Sequence, residues 1–286
     1  MFSILVTGAY GQLGSEIRQI SPAYPYQFNF LDIEELNITN EVAIEEFFKS
    51  KKIDVIINCA AYTAVDKAES ESDKANLINH FAVGFLAKVA KNYKIKFIHI
   101  STDYVFDGES YIPYSSSNEC RPKSNYGKTK RLGEERLIKE GPNDAMIIRT
   151  GWLYSSFGNN FVKTILRLSN EKDSLNIVND QIGCPTYALD LAKFILEILP
   201  MINWDGVKIF HYTNEGVCSW YDFAKMICQI RKNDCKIIGI PSSKYPTSAP
   251  RPFYSVLSKE ETKSTFQIEI PYWLDSLNTF LKKLEK

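Results

Sequence analysis

The chain has 286 residues, 44% of them hydrophobic and 24% charged, with 34 basic side chains against 34 acidic ones. That length suits one large α/β domain, or a nucleotide-binding domain with a smaller lobe, and the composition is globular, not disordered. A net charge of zero gives no reason to expect nucleic acid or an anionic membrane as partner, and no apolar run reaches the ~20 residues that span a bilayer.

Residues 2–7 form an apolar run that ends at a glycine-rich turn, so the N-terminus reads as a first strand and not as a signal peptide. A helix is predicted over 12–20, stopped by Pro22 and Pro25. A second strand, 28–31, ends at Asp32. A helix over 41–51 follows, with Asn40 as its N-cap and Val42, Ile44, Phe47 and Phe48 at helical spacing. Residues 53–60 make a third, buried strand. A long helical stretch over about 66–93 comes next, with a break expected near Asp73, and its acidic run from Glu69 to Asp73 reads as a solvated face. Strands over 96–102 and 145–150 complete the alternation. Strands alternating with helices indicate βαβ units and a parallel sheet with helices on both faces, and ligands then sit beyond the carboxyl ends of the strands. Beyond about residue 151 the chain is richer in Trp, Tyr, Pro and Asn and alternates less regularly. The expected organisation is therefore a Rossmann-type doubly wound α/β domain over 1–150, rejoined by part of 175–215, with 151–286 supplying mainly a smaller C-terminal substrate-binding lobe.

The first turn carries Gly8, Gly11, Gln12, Leu13 and Gly14 in a GxxGxxG arrangement. Glycine there permits a tight turn and lets the main chain approach a pyrophosphate, while the helix that follows offers free N–H groups to the anion. Asp32 stands 18 residues after Gly14, where an acid binds the adenosine ribose hydroxyls. A carboxylate there favours NADH over NADPH without excluding the latter. Three glycines alone only make a turn; a preceding strand, a following helix and the acid at this offset make a dinucleotide site.

Tyr126 and Lys130 form a YxxxK pair, which places both on one helix face, with Ser124 or Asn125 as candidate cap. A second such pair, Tyr221 and Lys225, lies in an ordinary amphipathic stretch and is read as structural. The first follows Thr102, at the end of the fourth strand, by 24 residues. Reducing a ketone requires a hydride on carbon and a proton on oxygen. Tyrosine titrates near 10, and a neighbouring Lys130 together with an oxidised nicotinamide is expected to lower that value; about three units corresponds to roughly 4 kcal/mol. Thr102 would orient the substrate oxygen.

Several blocks in this order — GAYGQLG, CAAYTAVDKAE (59–69), STDYVFDG (101–108), YGKTK (126–130), RTGWLY (149–154), GNNF (158–161) and NDQIGCPT (179–186) — make the chain resemble the dTDP-4-dehydrorhamnose reductase family of extended short-chain dehydrogenases. The resemblance runs through most of the chain. It implies NADPH or NADH as cofactor and a nucleotide-sugar, dTDP-4-dehydro-L-rhamnose, as substrate. It implies that the Gly11–Leu13 turn, Asp32, Asn37, Ile38, Ala61, Tyr62, Thr63, Tyr126 and Lys130 contact the cofactor. It further implies that Thr102, Asp103 and Trp152 contact the sugar, with Asn160 and Arg251 on the nucleotide-diphosphate side. Tyr62 stands where the family often has His, and Asn37 where some members have an acid, which leaves the choice between NADH and NADPH open.

Taken singly, Trp152 could be core, Asp103 a turn cap and Arg251 half of a surface salt bridge. His99 is expected to be a satisfied buried histidine. The cysteines (Cys59, Cys120, Cys184, Cys218, Cys228, Cys235) show no CxxC pair and read as free thiols in a reducing cytoplasm. Histidines His80, His99 and His211 are isolated, so no metal site is expected. A homodimer is left open. Two other functions compete. One is another extended short-chain nucleotide-sugar enzyme (a reductase, an epimerase or a 4,6-dehydratase, the last of which carries Asp-Glu after its threonine where this chain has Asp103-Tyr104). The other is a non-catalytic dinucleotide-binding regulatory subunit like the methionine adenosyltransferase β subunit.

Overall fold

Five parallel strands, β1 (Ser3–Thr7), β2 (Gln27–Leu31), β3 (Val55–Asn58), β4 (Lys96–Thr102) and β5 (Ala145–Thr150), alternate with helices in a computed structural model that describes residues 1–284. The helices are α1 (Gln12–Ile20), α2 (Glu41–Ser50), the short α3 (Ser72–Asn76), α4 (Ala82–Asn92) and α5 (Asn125–Glu140). The rest of the chain adds β6 (Leu153–Tyr154), α6 (Phe161–Glu171), β7 (Ser174–Val178), β8 (Ile182–Gly183), β9 (Thr186–Tyr187) and α7 (Ala188–Ile198). These are followed by β10 (Val207–His211), β11 (Cys218–Ser219), α8 (Trp220–Ile230), β12 (Lys236–Ile240), α9 (Glu260–Phe266) and α10 (Trp273–Lys283).

The main sheet runs β10-β5-β4-β3-β1-β2, all pairs parallel. Successive residues of a strand face opposite sides, and both sides are apolar here. Ile4, Val6, Ile57, Ile98 and Met146 pack on α1 and α7; Leu5, Ile56, Phe97 and Ile147 pack on α2, α4 and α5. That double burial is why these strands read as continuous hydrophobic runs. The chain leaves β1 for β2 on one side and β3 lies on the other, so the order reverses at β1 and opens a crevice beyond the strand ends. A smaller lobe has its own core, in which Tyr154, Val162, Tyr187, Phe223, Ile227, Trp273 and Phe280 meet between α6, α8 and α10.

The helical stretch, expected to break near Asp73, is four pieces. A 3₁₀ turn at Lys67–Glu69 is followed by α3, a π-helical turn at Leu77–Phe81, and α4. The break precedes Asp73, and the π turn aims the buried Asn79 side chain inward. Asn79 accepts from Tyr62 N–H at 2.8 Å and donates to the Tyr62 carbonyl at 3.1 Å and to Thr129 Oγ1 at 3.2 Å. One irregular turn thereby ties the loop after β3 to α5.

Candidate active site

The carboxyl ends of β1, β3, β4 and β5 surround a cavity of about 1050 Å³. The glycine turn forms one wall. Gly8 has φ +63°, and a β-carbon on it would lie 2.6 Å from the Ala60 nitrogen, so only glycine fits between β1 and the end of β3. Gly11, Gln12, Leu13, Gly14, Asp32, Asn37, Ile38, Ala61 and Thr63, at which cofactor contacts are expected, also line the cavity. Asp32 takes hydrogen bonds from Tyr10 N–H and Ile33 N–H, both at 2.9 Å, which fixes the turn against the end of β2.

Thr102, Asp103, Tyr126, Lys130 and Trp152 line the same cavity. Ser124, not Asn125, caps α5, accepting from Gly127 N–H at 3.1 Å, while Glu69 accepts the Asn125 N–H at 2.8 Å. Glu69 therefore leaves the solvated face to which the sequence assigned it and sits at the positive end of the helix that carries Tyr126. Gly127 lets that helix press against the Tyr104 carbonyl, where any β-carbon would collide. The Thr102 hydroxyl donates to Asp103 Oδ1 at 2.9 Å.

Burial dominates the electrostatics. It pushes the Tyr126 phenol up, partly opposed by the Thr102 hydroxyl, so Tyr126 holds its proton. Lys130 Nζ donates to the Ile100 carbonyl at 2.6 Å, and burial brings the lysine value down to about 8. Burial also raises the Asp103 carboxyl to about 6, opposed in part by the Ser255 and Thr102 hydroxyls.

Three anticipated residues lie outside the cavity lining. The main chain of Tyr62 is held by Asn79, and only its neighbours Ala61 and Thr63 face the cavity. Asn160 caps α6 through Lys163 N–H at 3.1 Å and donates to Gln12 Oε1 at 3.1 Å, so it steadies the glycine turn from the second lobe. Arg251 pairs with Asp66 at 2.5 Å and donates to the Tyr104 hydroxyl at 3.3 Å, which makes it the salt-bridge partner. Tyr221 and Lys225 pair with each other on the exposed face of α8, outside the cavity lining. Sequence reasoning missed Lys74, a cation in the cavity wall, along with Tyr104, Leu77, Ile78, Gly158 and Asn159. Lys74 sits beside the acidic run, which masked it; Gly158 and Asn159 lie in the GNNF block beside Asn160.

Among the described residues no helix is long and apolar enough to cross a membrane. The family model for the RmlD substrate binding domain matches residues 2–286. The spore coat polysaccharide biosynthesis protein SpsK of Bacillus subtilis is 39% identical, with 99% of this chain and 98% of that protein covered. A dTDP-4-dehydrorhamnose reductase of Clostridium acetobutylicum superposes with a TM-score of 0.95 at 41% identity, over 99% of this chain and 100% of that one. A dTDP-4-dehydrorhamnose reductase of Bacillus anthracis, solved in complex with NADP, does so with a TM-score of 0.93 at 33% identity, over 99% of both chains.

Proposed function

This chain belongs to the RmlD substrate-binding family, and from that premise we propose that it reduces the C4 ketone of dTDP-4-dehydro-L-rhamnose to dTDP-L-rhamnose, using NADPH or NADH. The observation that carries the reading is the convergence of Thr102, Tyr126 and Lys130 with the glycine turn and Asp32 in one cavity. Its size exceeds that of an ordinary small-ligand pocket and suits a dinucleotide beside a nucleotide-sugar.

The glycine turn and the start of α1 suit a pyrophosphate, since Gly8 packs without a side chain against the end of β3. Asp32 stands ready for the adenosine ribose, and Lys130 for the second ribose. When bound, the reduced cofactor supplies the hydride. Tyr126, fully protonated in this setting, gives its phenolic proton to the C4 oxygen and is left as phenolate. The Lys130 ammonium stabilises that anion until solvent returns the proton. Thr102 orients the same oxygen, Asp103 accepts from a sugar hydroxyl, and the Trp152 ring walls the sugar. A binding-only protein would have no use for this trio, and Tyr104 stands where a dehydratase carries its additional acid. We place the enzyme in the cytoplasm, where nucleotide-sugars and reduced cofactor are made, and expect a small-molecule partner without nucleic acid or membrane.

The test is oxidation of NADH and NADPH by the purified protein in the presence of dTDP-4-dehydro-L-rhamnose. Rapid oxidation that falls a hundredfold or more, roughly, in Tyr126→Phe is the expected result. No oxidation with either cofactor, in protein that still binds dinucleotide, overturns the reading.

A further inference from the structure

Beside Lys130, and outside the cavity lining, lies a row of buried polar side chains across three strands of the sheet. Thr7, Asn58 and His99 are register partners on three adjacent parallel strands, Thr7 opposite Asn58 and Asn58 opposite His99. All three are buried, with exposures of 1%, 0% and 0%, and Lys130 has 1%. They form one chain of contacts: Thr7 Oγ1 to Asn58 Oδ1 at 2.7 Å, Asn58 Nδ2 to His99 Nδ1 at 3.1 Å, and His99 Nε2 to Lys130 Nζ at 3.3 Å.

The proton count along this row is restrictive. Burial, and after it the Lys130 charge, drives the His99 value well below its usual range, so the ring is neutral. A neutral imidazole has one donor nitrogen and one acceptor. If Lys130 is an ammonium it must donate to Nε2. Nδ1 then carries the hydrogen, so the Asn58 carbonyl must face the ring and the Asn58 amide must donate to Thr7. With the Asn58 amide turned the other way, Thr7 donates to the carbonyl, the amide donates to Nδ1, and Nε2–H can only be accepted by the lone pair of a neutral Lys130 amine. Which way the amide points is an assignment made from the network, so both polarities use the same heavy-atom positions.

We propose that the His99–Asn58–Thr7 row is a positioning device that sets the charge of Lys130, its polarity deciding whether the catalytic lysine stands as ammonium or amine. The inference rests on the proposed reading, in which Lys130 must be cationic to steady the Tyr126 phenolate. Other groups face Lys130: Cys59 beyond the end of β3, the Ile100 carbonyl on β4, and Glu134 and Tyr126 one turn to either side on α5. Glu134 favours the ammonium, but its carboxylate already pairs with Arg149, and among the groups facing Lys130 the row is the one whose polarity can reverse. Unlike a plain core histidine, His99 has both ring nitrogens in contacts that lead to the catalytic lysine or away from it.

The experiment reads Lys130 directly. Protein labelled with [6-¹³C]lysine is titrated by NMR, with the Lys130 signal assigned by its loss in Lys130→Met. Asn58→Asp supplies only acceptors to the ring, fixes hydrogen on Nδ1, and should raise the Lys130 midpoint by about one pH unit. His99→Phe removes the acceptor of the ammonium, and should lower it by about as much. Combined with His99→Phe, the Asn58→Asp shift should shrink severalfold, because the carboxylate then acts only through space. The alkaline limb of kcat/KM should move with each midpoint. Should His99→Phe not fold, Thr7→Val replaces it, since it takes away the oxygen to which Asn58 must donate in the ammonium polarity. Midpoints that stay put, move the same way, or shift equally with and without His99 overturn the proposal. The NMR readout stands whether or not the wild type reduces the sugar, so loss of the reductase reading would be visible separately.

Discussion

The indole rings of Trp152 and Trp220 lie face to face, with centroids 3.4 Å apart and planes 4° from parallel. Trp152 also holds a left-handed backbone, φ +50°, which a bulky residue adopts only when its surroundings enforce it. Enforcement is visible: Trp220 leans on Phe161 at 4.6 Å, and a β-carbon on Gly183 would come within 2.6 Å of Trp152 Cε2. Trp220→Leu should therefore free the Trp152 ring without unfolding the lobe. The expected outcome is a KM for the sugar nucleotide raised about tenfold, with cofactor affinity and kcat little changed. Steady-state kinetics with both substrates varied would check it, and an unchanged KM would reduce the stack to core packing.

Asp103 should cost the empty protein stability at neutral pH. Its carboxyl has a folded value of about 6 against an ordinary 3.8, raised first by burial. A raised value means stability is fully present below the unfolded value and lost as pH rises through the folded one. Asp103→Asn should thus raise Tm at pH 8, by an amount worth at most about 3 kcal/mol, and have little effect near pH 4. It should also lower kcat/KM. Thermal melts across that range test the sign.

The acids at the end of β2 should set the cofactor choice. Asp32 and Glu34 line this end of the cavity, and Glu35 accepts from Asp32 N–H at 2.9 Å. Asp32→Asn keeps the shape of the turn and removes a charge that repels a 2′-phosphate. The ratio of kcat/KM for NADPH over NADH should rise about tenfold, on the order of 1.4 kcal/mol. A ratio that does not move would place the discrimination elsewhere.

Arg149 on β5 and Glu134 on α5 form a buried two-pronged pair, at 2.8 and 2.7 Å, with exposures of 1% and 0%. Burial alone would raise the Glu134 value, but the guanidinium outweighs it and holds the carboxyl below its usual range. Glu134→Gln leaves Arg149 buried without its counter-charge and should cost about 3–5 kcal/mol in urea unfolding. Because α5 carries Tyr126 and Lys130, activity in the surviving folded fraction should fall too.

The helix that carries Tyr126 and Lys130, the glycine turn and the acid after β2 were legible because each is a local statement. Tyr126 and Lys130 share a face through helical periodicity alone, and a turn beside a pyrophosphate demands glycine whatever surrounds it. The alternation of elements likewise fixed the parallel sheet and the cavity at its carboxyl edge. Tertiary structure decided who partners whom. Arg251 has the residue type of a phosphate ligand, yet Asp66, 185 positions away, takes its guanidinium. Asn160 caps α6 and reaches Gln12 across 148 positions, Glu69 accepts the first N–H of α5 across 56, and His99 meets Asn58 across 41. Motif and periodicity carry no information about such pairings. Burial and hydrogen-bond partners also set the Asp103 and Lys130 values, because a side chain's charge depends on the solvent and neighbours that folding removes or supplies.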